Sequence, residues 1–127
     1  MATSPQFAVT PRIGAVSIAT ADASYTAPSS VGTLITGAAT GTRIAEIVVK
    51  NAATSAAAIV RIFLYDGTTY WHFDEITIAA ATGSSTVQQS RVSTTYNNLI
   101  LPSSSWSLRV TTSVSQTTHV IALGADL

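Results

Sequence analysis

Residues 58–78 read AIVRIFLYDGTTYWHFDEITI. Two β-rich runs, 56–65 and 69–78, flank Asp66-Gly67. Val, Ile, Thr and aromatic side chains pack well on a pleated surface, and Asp-Gly supplies the positive φ angles of a type I′ turn. The stretch therefore reads as an antiparallel hairpin. Val60, Ile62 and Leu64 share one face of the outgoing strand; Trp71 and Phe73 share one face of the return strand. A two-residue loop sets Ile62 against Trp71, whereas a four-residue loop sets Ile62 against Phe73 and Arg61 against Asp74. The registers differ by two residues and side chains alternate, so both put the same apolar set on one side. That side is the expected core. Arg61, His72 and Asp74 fall on the wetter side.

Further strands are expected on either side of the hairpin. Residues 13–19, 31–36 and 43–50 precede it. A short polar strand at 86–90, then 92–96, 99–101, 106–112 and 117–124, follow it. In 106–112, Trp106, Leu108 and Val110 point inward and Ser107, Arg109 and Thr111 outward. Both tryptophans are expected inside. Short strands at spacings of about 8–12 residues fit a sandwich or small barrel. The fold expected is all-β: a single antiparallel β-sandwich, jelly-roll-like, with an immunoglobulin-like sandwich as the alternative. Strand pattern does not encode strand order. Pro5 and Pro11 lack the backbone donor a sheet ladder needs, so residues 1–12 are expected to form an extended N-terminal arm and 13–127 the sandwich.

The composition agrees. The 127 residues include 20 Ala, 20 Thr and 16 Ser, with 11 Val and 11 Ile, but one Lys and two Glu. A chain with 46% hydrophobic residues and mean hydropathy +0.37 is no disordered Ser/Thr linker. The absence of cysteine removes disulfides, thiolate nucleophiles and cysteine-based zinc sites. Six basic residues balance six acidic ones, which argues against nucleic acid as a partner. The longest apolar runs fall well short of the ~20 residues a membrane helix needs, so no membrane partner is expected.

The inventory for catalysis is thin: His72, His119, four Asp and two Glu. There is no GxSxG elbow and no HxxxH or HExxH pair, and DGTT is too short for a calcium loop. Asp74 and Glu75 are adjacent on a strand and point to opposite faces, so they do not flank one glycosidic bond. No catalytic, cofactor-binding or metal-binding residue is assigned, no cofactor is expected, and the reading is of a protein that is not an enzyme. The candidate interface residues are Pro5, Phe7 and Pro11 in the arm and Tyr65 and Tyr70 at the hairpin tip. The tip tyrosines also support an alternative, a receptor- or carbohydrate-binding module of a tail fibre.

Three segments, TGTRIAEIVVKNAATS (40–55), AIVRIFLYDGTTYWHFDEITI (58–78) and LPSSSWSLRVTTSVSQTTHVIALGADL (101–127), resemble small all-β virion proteins of tailed bacteriophages. The resemblance lies in strand and turn residues over half to two-thirds of the chain. It implies a capsid decoration or cement protein, or else a head-fibre or tail-adaptor part. It further implies the major capsid protein or another virion protein as partner, a homo-oligomer with a trimer favoured, and a place on the capsid surface after synthesis in the host cytoplasm.

Overall fold

The structure, a computed structural model, describes residues 9–127. Segments rich in Val, Ile and Thr form eight strands. They are β1 (Thr10–Ile18), β2 (Gly32–Thr36), β3 (Thr42–Asn51), β4 (Ala58–Tyr65), β5 (Tyr70–Ile78), β6 (Arg91–Leu101), β7 (Ser107–Thr112) and β8 (Thr118–Asp126). No helix occurs among the described residues. The pairing is nested: β4 pairs with β5, β3 with β6, β2 with β7 and β1 with β8, all antiparallel. Rolling up this nest sets β3 against β8 and β4 against β7. Two four-stranded sheets result, β1-β8-β3-β6 and β2-β7-β4-β5. This is jelly-roll connectivity, which replaces the immunoglobulin-like alternative.

The core lies between the sheets. Ile44, Ile47 and Val49 of one sheet meet Val60, Ile62, Leu108 and Val110 of the other, all fully buried. Two glycines close one flank, where β1 crosses β2. A Cβ on Gly14 would strike the Leu34 carbonyl oxygen, and one on Gly32 would lie 2.8 Å from Val16 and 2.9 Å from Ile18. The opposite flank, where β5 and β6 form the sheet edges, is bridged at Tyr96 but leaves an opening at the hairpin end.

That opening corrects the reading of the hairpin core. Trp71 and Phe73 do face the other sheet, yet they are 54% and 40% exposed, because the cover there thins to the edge strand β6. Trp106 is partly buried against the core, as its parity requires. The hairpin loop has four residues, Tyr65 pairing with Tyr70. It is not a type I′ turn: Gly67 has φ +101°, but no described non-glycine residue has positive φ. One residue of β5 is bulged opposite Ile62/Phe63, so Arg61 pairs with Glu75 rather than Asp74, and Asp74 turns inward beside Ile62. Arg61 and Thr111 point away from the core as expected but are buried, since a loop covers that outer face.

Other boundaries also shift. Residues 86–90 form no strand: Ser84 Oγ accepts the backbone N–H groups of Thr86 and Val87 and holds them in a turn. The two runs at 92–96 and 99–101 are one strand, β6, with an irregularity opposite Ala45. β1 starts at Thr10, so Pro11 belongs to a strand and pairs with Ala125. It is tolerated because β1 is an edge. Pro5 and Phe7 lie outside the described residues.

The β1–β2 crossing generates a prediction. Gly14→Ala places a methyl group against backbone that has no room to retreat, and is expected to cost about 2 kcal/mol or more. Thermal unfolding checks it, since each kcal/mol should lower the midpoint by roughly 3–5 °C in a domain of this size.

Candidate functional site

Four surface regions carry the side chains with binding or chemical potential. The first is the outer face of β4 and β5. Here Arg61, 7% exposed, lies beneath the loop of residues 19–31. Its Nη1 donates to the Asp22 carbonyl at 3.2 Å and its Nη2 to the Tyr25 hydroxyl at 3.2 Å. Its Nε sits 3.3 Å from Glu75 Oε1, and its guanidinium carbon 4.5 Å from the Tyr25 ring centroid. His72 Nε2 approaches the same Glu75 oxygen at 3.3 Å, while its ring meets Tyr25 edge-on. Asp22 shapes the loop by accepting the backbone N–H groups of Ser24, Ser29 and Ser30. Those bonds, Ser30 first and then Ser24, hold its carboxyl below the usual range. Arg61 is thus a clamp between loop and sheet, and His72 belongs to the same packing.

The second region is the hairpin tip. Tyr65 and Tyr70 stack at 4.3 Å between centroids, and Arg109 lies over the Tyr65 ring. The Tyr65 hydroxyl donates to the Gly67 carbonyl at 2.9 Å. The two candidate tyrosines are brought together, but they cover each other rather than offering two free faces. Asp66 Oδ1 accepts the backbone N–H groups of Thr69 and Thr68, and Oδ2 accepts the Trp71 indole N–H. The Thr69, Thr68 and Trp71 bonds, in that order, hold the Asp66 carboxyl far below its usual range, so it is an anion at any physiological pH.

The third region is the open edge, where Trp71 and Phe73 are exposed. Phe73 packs on Tyr96 of β6 at 5.7 Å, and the Tyr96 hydroxyl donates to Asp74 Oδ2 at 2.8 Å. Burial, then the bond to Asp74 and its charge, push the Tyr96 hydroxyl well above its usual range. The bulge in β5 makes this contact, because it turns both Phe73 and Asp74 toward β6.

The fourth region is the outer face of the β1-β8-β3-β6 sheet. In register across it lie Ile13, Leu123, Glu46 and Thr95, then Ala15, Ile121, Val48 and Ser93, then Ser17, His119, Lys50 and Arg91. Ile13 is 71% and Leu123 37% exposed. Pro11, the one candidate arm residue within the described chain, lies on this face beside Ala125. Sequence reading missed the strip, although β1 (TPRIGAVSI) carries apolar residues on both parities, which signals two buried or covered faces. The described residues contain no group of three or more His, Asp or Glu placed to hold a metal ion. They contain no helix long and apolar enough to cross a membrane.

Two outcomes follow from this geometry. Arg61→Met removes the hydrogen bonds to the Asp22 carbonyl and the Tyr25 hydroxyl and frees the loop, while Glu75, a third exposed and still beside His72, stays solvated; the cost is expected to be about 2 kcal/mol, read by denaturant unfolding together with faster hydrogen exchange across residues 21–30. Tyr96 holds its proton more tightly folded than unfolded, so its contribution is present below about pH 10 and is lost as pH rises further. The stability difference between wild type and Tyr96→Phe is expected to shrink above that pH, as followed by unfolding at a series of alkaline pH values.

No protein-family model and no curated protein matches the chain. Among solved structures, the chain is similar to one in the T13 particle of infectious bursal disease virus (IBDV), at 16% identity and a TM-score of 0.37. It is also similar to one in the structure of the Gx strain of that virus, at 17% identity and a TM-score of 0.36. Each alignment covers 99% of this chain but only 35% and 37% of the matched chains, so the protein spans about a third of their length.

Proposed function

We propose that the protein is a non-enzymatic structural subunit of a virus particle: a decoration or cement protein on the outer head surface of a tailed bacteriophage, bound to the major capsid protein. The observation that carries this reading is the presence of two separate exposed apolar surfaces on one small rigid sandwich, the strip around Ile13 and Leu123 and the edge at Trp71 and Phe73. Large exposed apolar patches mark interaction sites, and two of them on one chain suit repeated assembly. Small Ala, Ser and Thr side chains allow close approach, and few charges limit the desolvation cost of burying the surface. Both histidines have places that need no chemistry: His72 packs on Tyr25 and Glu75, and His119 stands exposed beside Lys50. The phage resemblance of segments 40–55, 58–78 and 101–127 supports the virion setting. Jelly rolls recur in viral capsids, and also in lectins, so the fold supports it as an analogy only.

In this reading the subunits form a closed homo-oligomer, a trimer, and the residues before β1, with Pro5 and Phe7, act as an arm on the neighbouring shell. A second reading, a carbohydrate-binding module, is favoured by exposed Trp71 with its indole N–H fixed on Asp66. It gains less from Tyr65 and Tyr70, whose stacking removes one face of each.

Cosedimentation with heads lacking the protein tests the proposal. Saturable binding to the head surface is expected, weakened at least tenfold by deletion of residues 2–8 with an unchanged melting curve. Absence of binding to any head or tail assembly removes the virion reading, and a glycan-array signal lost on Trp71→Ser establishes the second one.

A further inference from the structure

The two exposed apolar surfaces carry opposite charge. On the outer face of β1-β8-β3-β6, the strip of Ile13, Ala15, Ile121 and Leu123, bordered by buried Val48, is flanked by Arg43, Lys50 and Arg91, with Glu46 as the one carboxylate in register among them. Arg43 Nη2 and Lys50 Nζ donate to the carbonyls of Asn97 and Gln89, both at 3.1 Å, so their charges meet no acid there. A shallow hollow of about 260 Å³ opens along Ala15–Ser17 and His119–Ile121. At the open edge, exposed Trp71 and Phe73 are framed by Asp66 and Asp74. Both acids take bonds from neutral donors, the Trp71 indole and the Tyr96 hydroxyl, and neither is paired with a cation among the described residues.

We infer that these surfaces mate with each other: the β5 edge of one copy, Trp71 and Phe73 foremost, seats on the β1–β8 face of a second copy of this chain. The inference rests on the assembly reading above and names its contact. A symmetric face-to-face pair fits less well. It would bring Arg43, Lys50 and Arg91 of both copies to one interface and leave the Trp71 edge uncovered. The head-to-tail contact covers both surfaces and matches cation to carboxylate. Such contacts close into rings when the rotation allows, and otherwise run on as filaments. Four strands about 4.8 Å apart and some 25 Å long span roughly 500 Å² of sheet face, below the ~800 Å² per partner of a standard interface. One contact is therefore weak, and a closed ring, in which each copy makes two, is the stable product.

The test uses the full chain alone, with mass read by sedimentation equilibrium. Wild type is expected to form a closed oligomer that loosens as salt is raised. Ile13→Asp breaks one surface and Trp71→Ser the other, and each variant alone is expected to be monomeric. An equimolar mixture of the two retains one intact contact and is expected to give a weak dimer, populated as the concentration is raised well above that at which wild type assembles, and nothing larger. Both changes are at exposed positions, and retained melting curves show that the variants fold; Phe73→Ser replaces Trp71→Ser if the latter does not. A monomeric wild type, a Trp71→Ser variant that assembles as wild type does, or a mixture no more associated at high concentration than either variant alone would each overturn the inference. A wild-type oligomer that ignores heads leaves this contact standing and removes the virion reading. A monomer that binds heads does the reverse.

Discussion

The crossing of β1 over β2 sets the shape on which the surface properties depend. Backbone meets backbone there, at Gly14 and Leu34, with no side chain between. Two twisted sheets packed face to face do not stay parallel across their width, so corners that approach on one flank are matched by corners that separate on the other. Closing the β1/β2 flank to backbone contact leaves β5 and β6 splayed. Trp71 and Phe73 then face the partner sheet at a place where that sheet has thinned to one edge strand, and Tyr96 is the side chain that reaches across. The aromatic edge thus lies on the flank opposite the two close-packed glycines.

The loop of residues 19–31 obeys a second constraint. Arg61 and Thr111 stand opposite each other on β4 and β7, facing away from the core, yet both are buried. A guanidinium taken out of water needs partners in nearly every direction. It finds hydrogen bonds in the Asp22 carbonyl and the Tyr25 hydroxyl, while its Nε makes no hydrogen bond among the described residues and meets only the charge of Glu75, 3.3 Å away. The bulge in β5 is what sets Glu75 rather than Asp74 opposite Arg61, and the same bulge frees Asp74 to take the Tyr96 hydroxyl. One extra residue thereby serves both faces of the sheet. The Thr111 hydroxyl has no partner under the loop, and the surrounding geometry offers no account of it.

Much of this was readable from residue order. Alternation of Leu108 and Val110 with Ser107, Arg109 and Thr111 placed the core face of β7 correctly, and Val60, Ile62 and Leu64 did so for β4. What alternation fixes is direction, not depth. Trp71 points where its parity says, but how much sheet lies opposite is a property of the roll. Register failed at the bulge for the same reason: no local signal in HFDE distinguishes a bulged strand from a regular one. The run at 86–90 misled because Thr and Val favour strands, while Ser84 supplies a hydroxyl that captures their backbone donors first. Pro11 misled in the opposite direction: proline excludes a central strand but not an edge.

The surface strip shows why function was less legible than fold. Ile13 and Leu123 sit on the parity opposite to Val16 and Val120, so a reading that seeks one apolar face per strand assigns the other to solvent. In β1 and β8 both parities are apolar, yet none of the described residues lies above the second. A monomer gains nothing from leaving isoleucine 71% exposed on an edge strand, whose free backbone already invites association. Both the strip and the unpaired edge become favourable once another surface covers them. The low charge follows as well. In the proposed array each copy would present the same surfaces many times over, and unpaired charges repeated at every contact would add their desolvation cost at each one. A chain that keeps about half of its few charges in internal pairs and loop caps limits that cost, and in the proposed assembly the opposed patches on its two flanks give the contact a direction.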